Sequence, residues 1–172
     1  YGENKLKYQM PVEECGNMLI MMAVVCKADG NADFAKPYWE VLKQWKNYLL
    51  EYGSDPGDQL CTDDFAGHLE HNVNLSVKAI VGIEAYACLA EMLGEDEEAK
   101  KHHVLAKEMA ADWEVRALAG DHYSLVFGKP DTWSLKYNLV WDKLWGSNLF
   151  SQEVYEKEIN YYLKQTLEFG VL

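Results

Sequence analysis

Two pairs of adjacent carboxylates are the residues of this sequence best suited to acid–base chemistry. Glu13 and Glu14 stand at the start of a predicted helix, and Asp63 and Asp64 stand in a polar stretch ahead of another. Two carboxyl groups about 5 to 9 Å apart can act as general acid and general base in breaking a C–O or C–N bond. We therefore predict these four residues as the catalytic candidates.

Electrostatics offers a structural alternative for the same four residues. A helix dipole places partial positive charge at its amino terminus, and carboxylates collect there whether or not they do chemistry. For each acid taken alone, this structural explanation is the stronger one. Convergence of acids from different helices on one cavity is what would favour catalysis.

A metal site is a third interpretation of the polar stretch LCTDDFAGHLEHNVNLSVKAIVG. Asp64, His68 and His71 follow one another at helical spacing, which would bring their side chains together on one face. Gly67 interrupts such a helix, and no H-E-x-x-H motif is present. We therefore predict no metal and no cofactor. The polar groups then cap the following helix or form the rim loop of a pocket.

The stretch DTWSLKYNLVWDKLWG mixes aromatic rings with amide and charged side chains. Rings offer flat apolar area and polar neighbours fix orientation, a combination that suits sugars and other small polar ligands. The predicted substrate-binding residues in it are Trp133, Lys136, Asn138 and Asp142. Trp141 and Trp145 are four residues apart, and burial in a core explains them equally well. His102 and His103 occupy exposed-looking helix positions with no predicted role.

Helices must position these residues. Apolar side chains at steps of three and four residues predict six helices, over about 11–26, 33–52, 72–93, 96–118, 137–145 and 151–169. Asp33 and Ser151 are the predicted caps of the second and sixth helices, and Asn72 or Asn74 is the predicted cap of the third. The segment HYSLVFG predicts one short strand or an extended loop. Short loops join the first four helices in pairs, which predicts an all-α array of helical hairpins in one domain.

Composition excludes several classes of protein. The 172 residues carry a net charge of -12 with a pI near 4.8, which repels nucleic acid and anionic lipid. Four cysteines without a C-x-x-C pair exclude a zinc ribbon and a dithiol redox motif. The longest apolar stretch, MLIMMAVVC, is about half of the ~20 residues that cross a bilayer. We predict no nucleic acid partner and no membrane span.

Three long motifs resemble the glutaminase A family of bacteria and fungi, in the helical domain once known only as a domain of unknown function. They are YQMPVEECGNML, QLCTDDFAGHLEHNVNLSVKAIVGI and WSLKYNLVWDKLWGSNLF, and the resemblance spans nearly the whole chain. It implies helical hairpins forming part of an (α/α)6 toroid similar to that of six-hairpin glycosidases. Characterised fungal members hydrolyse the side-chain amide of L-glutamine to glutamate and ammonia.

The resemblance also implies a setting for the chain. Family members are larger, generally exported multidomain proteins, so we expect residues 1–172 to be a partial toroid excised from a longer, bacterial protein. An extracellular or periplasmic location follows, with other domains of the parent chain as partners. Six helices are half of a toroid's twelve, and the isolated piece need not be active.

Three functional hypotheses remain open. In a glutaminase, Glu14 or Asp64 would activate water, while Lys136 or Asn138 would polarise the amide oxygen; the resemblance adds Asn74 as a substrate-binding residue. A glycosidase-like enzyme on the same toroid would act on a sugar. A non-catalytic helical module would bind a carbohydrate or a peptide without turnover.

Overall fold

The structure is a computed structural model that describes residues 8–62 and 68–171. In these ranges the α-helices are α1 (Pro11–Asp29), α2 (Trp39–Tyr52), α3 (Val73–Met92), α4 (Asp96–Ala117), α5 (Val140–Trp145) and α6 (Gln152–Gln165). Short 3-10 turns at Lys36–Tyr38 and Tyr137–Leu139 precede α2 and α5. Extended backbone in the described ranges pairs only at isolated bridges. The predicted all-α class is confirmed.

Helix α3 is the centre of the molecule. Residues 73–90 are all buried, among α1, α2 and α4. Asn72 caps the helix by accepting the backbone N–H of Leu75 at 2.8 Å, one of the two predicted caps. By length and composition α3 is the one described helix that could cross a bilayer, but its apolar window is entirely buried inside the protein.

The directions of the helices follow from their contacts. Glu13 meets Lys78 and Gly16 meets Gly82, so α1 and α3 run in the same direction. Helix α4 runs opposite to α3. The indole of Trp113, near the carboxyl-terminal end of α4, donates to the carbonyl of Val73, the first residue of α3. Helix α2 also runs opposite to α3, because Gly53 at its end meets Ala79 and Trp39 at its start stacks on Tyr86. The predicted hairpins α1/α2 and α3/α4 are therefore present, and the amino-terminal ends of α1 and α3 lie at the same end of the molecule.

Two glycines let α1 and α3 approach closely. A Cβ on Gly82 would lie 3.2 Å from the Cα of Gly16 and 2.7 Å from Cδ1 of Leu49. A Cβ on Gly16 would lie 2.6 Å from Cγ of Lys78. Any larger side chain at these positions would push α3 away from its neighbours, because packed interiors leave no spare volume.

The predicted start of the second helix is wrong. Asp33 does not cap a helix: its backbone N–H donates to Asn31 Oδ1 at 3.0 Å, and its carboxylate pairs with Lys36 at 2.6 Å. Pro37 then lies in a 3-10 turn, and α2 begins only at Trp39. Local side-chain hydrogen bonds have competed with the helix for the backbone here.

The buried face of α4 is also shifted from the prediction. The spacing of its large side chains predicts that Leu105, Met109, Trp113 and Leu118, or Ala117 in place of Leu118, point inward. Trp113 and Ala117 are buried as predicted, but Leu105 and Met109 are only half-buried and Leu118 is exposed beyond the helix end. The buried residues are Ala99, His102, Ala106, Ala110, Trp113 and Ala117. A row of alanines brings α4 close to α3, which a leucine row would prevent. The predicted exposure of His102 is therefore wrong.

The chain after α4 follows an irregular course. Residues 118–126 pair at two bridges, Leu118 with Tyr123 and Asn72 with Val126, so HYSLVFG forms an extended loop rather than a strand. The sixth helix ends at Gln165, earlier than predicted, because Leu167 and Gly170 exchange backbone hydrogen bonds in a turn. Ser151 holds its cap position without a side-chain hydrogen bond.

Candidate functional site at the amino-terminal ends of α1 and α3

A buried ion pair joins the starts of α1 and α3. Glu13 is 3% exposed, and its Oε1 lies 3.0 Å from Nζ of Lys78. Lys78 also donates to Oδ1 of Asn17, one turn further along α1. The backbone N–H of Thr62 donates to Oε2 of Glu13 at 3.3 Å. Glu13 thus ties two helices to a loop, and its catalytic role stays a prediction.

Glu14, next to this pair, is exposed in the first turn of α1. Of the four predicted catalytic acids it is the described one that a solvent-borne substrate can reach. Asp63 and Asp64 lie outside the described residues. The predicted convergence of Glu14 and Asp64 on one cavity therefore stays a prediction.

The thiol of Cys15 follows Glu14 in α1. Burial and, to a smaller extent, the nearby Glu14 carboxylate together raise its pKa to about 11. Since the thiolate is the nucleophilic form, Cys15 is unsuited to covalent catalysis at neutral pH.

Two predicted substrate-binding amides meet beside the ion pair. Nδ2 of Asn138 donates to the carbonyl oxygen of Asn74 at 3.1 Å and to its Oδ1 at 3.3 Å, and both residues are buried. Asn74 lies one turn before Lys78 on α3. We call Glu13, Asn17, Asn74, Lys78 and Asn138 the polar strip, because they form a row from α1 across α3 to the turn before α5.

Lys136 belongs to a separate buried network. Its ammonium donates to the carbonyls of Tyr123 at 2.9 Å and Ser134 at 2.8 Å, and lies 3.5 Å from a carboxylate oxygen of Glu158. Glu158 also accepts from the backbone N–H of Tyr123 at 2.8 Å and from the hydroxyl of Tyr162. This network fastens the loop before α5 to α6, and a substrate role for Lys136 stays a prediction.

Asp142 holds the turn that follows α5. Its two carboxylate oxygens accept the backbone N–H groups of Leu149 at 2.9 Å and Phe150 at 3.3 Å, and the hydroxyl of Tyr155 at 2.5 Å. Burial, with help from this carboxylate, raises the pKa of Tyr155 well above its usual range, so its hydroxyl keeps the proton that it donates. Asp142 is buried, and its role in substrate binding stays a prediction.

The predicted aromatic surface is mostly engaged in packing. Trp133 is half-buried and meets Tyr161 edge-on, with ring centroids 5.8 Å apart, and Tyr161 stacks on His122 at 4.1 Å. Trp141 and Trp145 pack against the hydrophobic core, which is the alternative left open for them. In this arrangement the rings support the fold of the carboxyl-terminal part.

The sequence analysis missed two charged residues that make buried contacts. Lys78 and Glu84 are single charges inside the apolar run of α3, and that isolation was a usable signal because a buried charge requires a partner. Glu84 pairs with His103 at 2.9 Å, so the expectation that His103 has no specific contact is wrong. Among the described residues, no group of three or more His, Cys, Asp or Glu side chains is placed to hold a metal ion.

Comparison with known proteins gives consistent matches. The model of the glutaminase A six helical-hairpin domain matches residues 1–172. Glutaminase A of Aspergillus oryzae is 36% identical over 167 residues, which cover 95% of this chain and 24% of the relative. A probable glutaminase of Arthroderma benhamiae is 32% identical over 108 residues, covering 62% of this chain and 12% of the relative. No solved structure matches the chain.

These matches agree with the helical architecture and with the three sequence motifs. The chain spans less than a quarter of the length of the curated relatives, so their names describe far larger proteins. Both relatives are fungal, and the bacterial origin expected from the resemblance stays a prediction. The chain belongs to the glutaminase A six helical-hairpin domain family.

Proposed function

We propose that the protein carrying this chain hydrolyses the side-chain amide of L-glutamine to glutamate and ammonia. The observation that carries the proposal is the 36% identity to a Glutaminase A over 95% of the chain. Because the chain covers 24% of that relative, we assign the activity to the whole protein, with this domain supplying part of the site.

Glu14 is the best-placed described residue for the general base. Its carboxylate would take a proton from water as the water oxygen bonds to the side-chain carbonyl carbon of glutamine. The C–N bond then breaks, and the proton passes to the departing nitrogen, which leaves as ammonia. Asp64 is the second predicted base, and Lys136 and Asn138 are the predicted groups that polarise the carbonyl oxygen.

The polar strip supports this proposal by its chemistry. Asn17, Asn74 and Asn138 present amide groups, which both donate and accept hydrogen bonds as the glutamine side chain does. The buried Glu13–Lys78 pair fixes the first turn of α1, and so fixes the position of Glu14. Lys136 and Asn138 are buried and already hydrogen-bonded, so contact with substrate requires them to exchange partners.

Ammonia release from L-glutamine by the full-length protein tests the proposal. We expect Glu14→Gln and Asp64→Asn to lower kcat by about 10² or more if either acid is the base. Glu108→Gln, on the exposed face of α4, is the matched control and should leave kcat unchanged. No ammonia release from the wild-type protein would overturn the glutaminase assignment, and unchanged rates in both variants would remove these two acids from it.

The setting of the domain is proposed on the same basis. We propose that its hairpins form part of an (α/α)6 toroid inside an exported multidomain protein, and the low coverage of the relatives supports the presence of other domains. The sugar and peptide hypotheses gain no support from Trp141 and Trp145, which pack inward. A panel of glycosides and peptides, assayed for turnover and for binding, separates these alternatives from glutamine hydrolysis.

A further inference from the structure

Four carboxylates are buried within residues 8–62 and 68–171, and three of them have strong partners on both oxygens. Asp142 accepts from two backbone N–H groups and a phenol. Glu158 accepts from a backbone N–H and a phenol and faces an ammonium. Glu13 accepts from a backbone N–H and pairs with an ammonium. Such pairing is expected, because an ionised group that leaves water needs compensating donors.

Glu84 is the exception. It lies in the middle of α3 with its side chain 5% exposed, and its Oε2 is 2.9 Å from Nδ1 of His103. Its Oε1 meets the thiol of Cys88 at 4.0 Å, and a thiol is a weak donor. Burial and the Glu84 charge raise the pKa of Cys88, against an opposing effect of Lys27, so the thiol stays protonated. One oxygen of a buried carboxylate is thus poorly satisfied.

Glu84 also lines an open groove of about 420 Å³ between α3, α4 and the loop after α5. The other lining residues are His103, Val104, Lys107, Ser147 and Leu149. We call this the α3–α4 groove. Its volume is in the range of small-molecule sites, and its walls combine apolar surface with a few convergent polar groups.

The groove carries both signs of charge. Glu84 offers a carboxylate oxygen that lacks a strong donor, while Lys107 and the imidazole of His103 offer donors beside it. Because a carboxylate only accepts, Nδ1 of His103 holds the hydrogen in the Glu84 contact, and the ring is fixed by it. Lys107 donates to the backbone carbonyl of Asn148, which anchors its ammonium at the groove edge.

We propose that the α3–α4 groove is a binding site for a free α-amino acid, separate from the polar strip. The ligand's ammonium group would donate to Oε1 of Glu84, and its carboxylate would accept from Lys107 and from Ser147. The opposite charges of Glu84 and Lys107 match the two ends of a zwitterion, which a simple amine or a simple carboxylate would only half satisfy. The choice of L-glutamate as the first ligand rests on the proposed function, because glutamate is the product of that reaction.

Chemical footprinting of the full-length protein tests this site. Diethyl pyrocarbonate acylates accessible histidines, and the modification of His103 is followed by mass spectrometry at pH 6. His71 is the internal control, because it is similarly exposed and also pairs with a carboxylate, Asp55 at 2.8 Å, but lines no part of the groove. The ratio of His103 to His71 modification corrects for reagent consumed by ligand amines.

We expect L-glutamate at ten times its dissociation constant to slow His103 modification by about tenfold relative to His71. L-alanine should also protect, whereas methylammonium and acetate, each carrying one charged end, should protect less. Glu84→Gln and Lys107→Met should abolish the protection. Lys107 is exposed, so its variant keeps the test informative even if Glu84→Gln disturbs folding.

Two results would overturn the proposal: no protection of His103 at saturating amino acid, or protection that persists in Lys107→Met. Glu14→Gln, beside the polar strip in the first turn of α1, should leave protection unchanged and so separates this groove from the proposed hydrolytic site. Protection by amino acids in a protein that releases no ammonia from glutamine would keep the groove and reject the glutaminase assignment. Ammonia release from glutamine without protection of His103 would support the glutaminase assignment and reject the amino acid site in the groove.

Discussion

The part of the molecule built from α1 to α4 and the part after residue 117 are held together by different interactions. Helices α1 to α4 meet through apolar side chains, alanines and the Gly16/Gly82 contact, around a helix that is buried on all sides. The carboxyl-terminal part has short helices and extended loops, which are fastened by Lys136, Asp142 and Glu158. Helical backbone pairs its N–H and C=O groups with each other. Irregular buried backbone instead needs side chains that accept from its N–H groups or donate to its C=O groups.

The difference predicts where each part is fragile. Apolar contacts are individually weak and numerous, so the helical part should lose stability gradually as side chains shrink or grow. A buried polar network fails more abruptly, because losing one member leaves several groups poorly satisfied.

Breaking the carboxyl-terminal network should have the largest effect. Glu158→Ala removes the acceptor of the Tyr123 N–H and Tyr162 hydroxyl groups and the carboxylate nearest Lys136. We expect the free energy of unfolding to fall by about 3–5 kcal/mol in urea titration. Glu153→Ala, which breaks an exposed ion pair of the same helix, should cost less than about 1 kcal/mol. Equal losses in the two variants would contradict the proposed role of the network.

Overpacking the helical part should have the next largest effect. Gly82→Val forces new atoms against Gly16 and Leu49, and we expect a loss of about 2 kcal/mol in the same titration. Ala111→Val is the control, because it introduces valine at an exposed position of α4. The lower helix propensity of valine should cost it only about 0.5 kcal/mol. If Gly82→Val is neutral, α1 and α3 are not in the close contact described here.

Removing the cap of α3 should cost less. Asn72→Ala leaves the N–H of Leu75 without its side-chain acceptor, for an expected loss of about 1 kcal/mol in thermal or urea unfolding. Asn72→Ser retains an oxygen at the cap and should recover most of the loss. A serine variant as unstable as the alanine variant would assign the effect to burial of Asn72 rather than to capping.

The smallest effect is expected at the surface that joins the loop after α4 to α6. Lys164 and His122 lower the pKa of Asp121 from its ordinary 3.8 to about 2. A lowered folded-state pKa contributes stability above pH 4 that is lost as the pH falls toward 2. Asp121→Asn should therefore lower stability slightly at pH 7, leave it nearly unchanged near pH 2, and so flatten the acid limb of the stability curve, whereas Asp121→Glu keeps a carboxylate and should keep the limb. An identical acid limb in wild type and Asp121→Asn would refute this.

Sequence periodicity predicted the helical part well, because burial of one face repeats along the chain. It located α1 and α3 and paired the helices correctly, and Asn72 is one of the two residues predicted as the cap of α3. It misplaced the start of α2, where the Asn31 and Asp33 contacts compete with a helix, and the buried face of α4, where alanines rather than leucines point inward. Helix propensity and the pattern of apolar residues reveal neither side-chain hydrogen bonds that compete with a helix start nor the close approach of α4 to α3.

The candidate site was less predictable, because it depends on contacts between residues far apart in the chain. Asn74 and Asn138 were both selected from sequence, but their mutual hydrogen bond was not. Asp142 and Lys136 were selected for their polarity, yet the structure shows them fastening backbone in the carboxyl-terminal part. Lys78 and Glu84 were overlooked, since a single charge in an apolar helix reveals a need for a partner but not which partner it finds.

The complete enclosure of α3 has a consequence for biosynthesis. As the chain emerges from the ribosome, α3 is a 20-residue apolar segment with nothing yet covering the face later occupied by α4. Such a segment attracts chaperones and the membrane-insertion machinery. Glu84 lies near the middle of α3 and Lys78 within its first half, and both oppose retention in lipid, because a charge inside a spanning helix is costly, by up to about 3 kcal/mol at the helix centre. We therefore expect the same two side chains that join helices in the finished protein to disfavour insertion of the newborn segment into the bilayer.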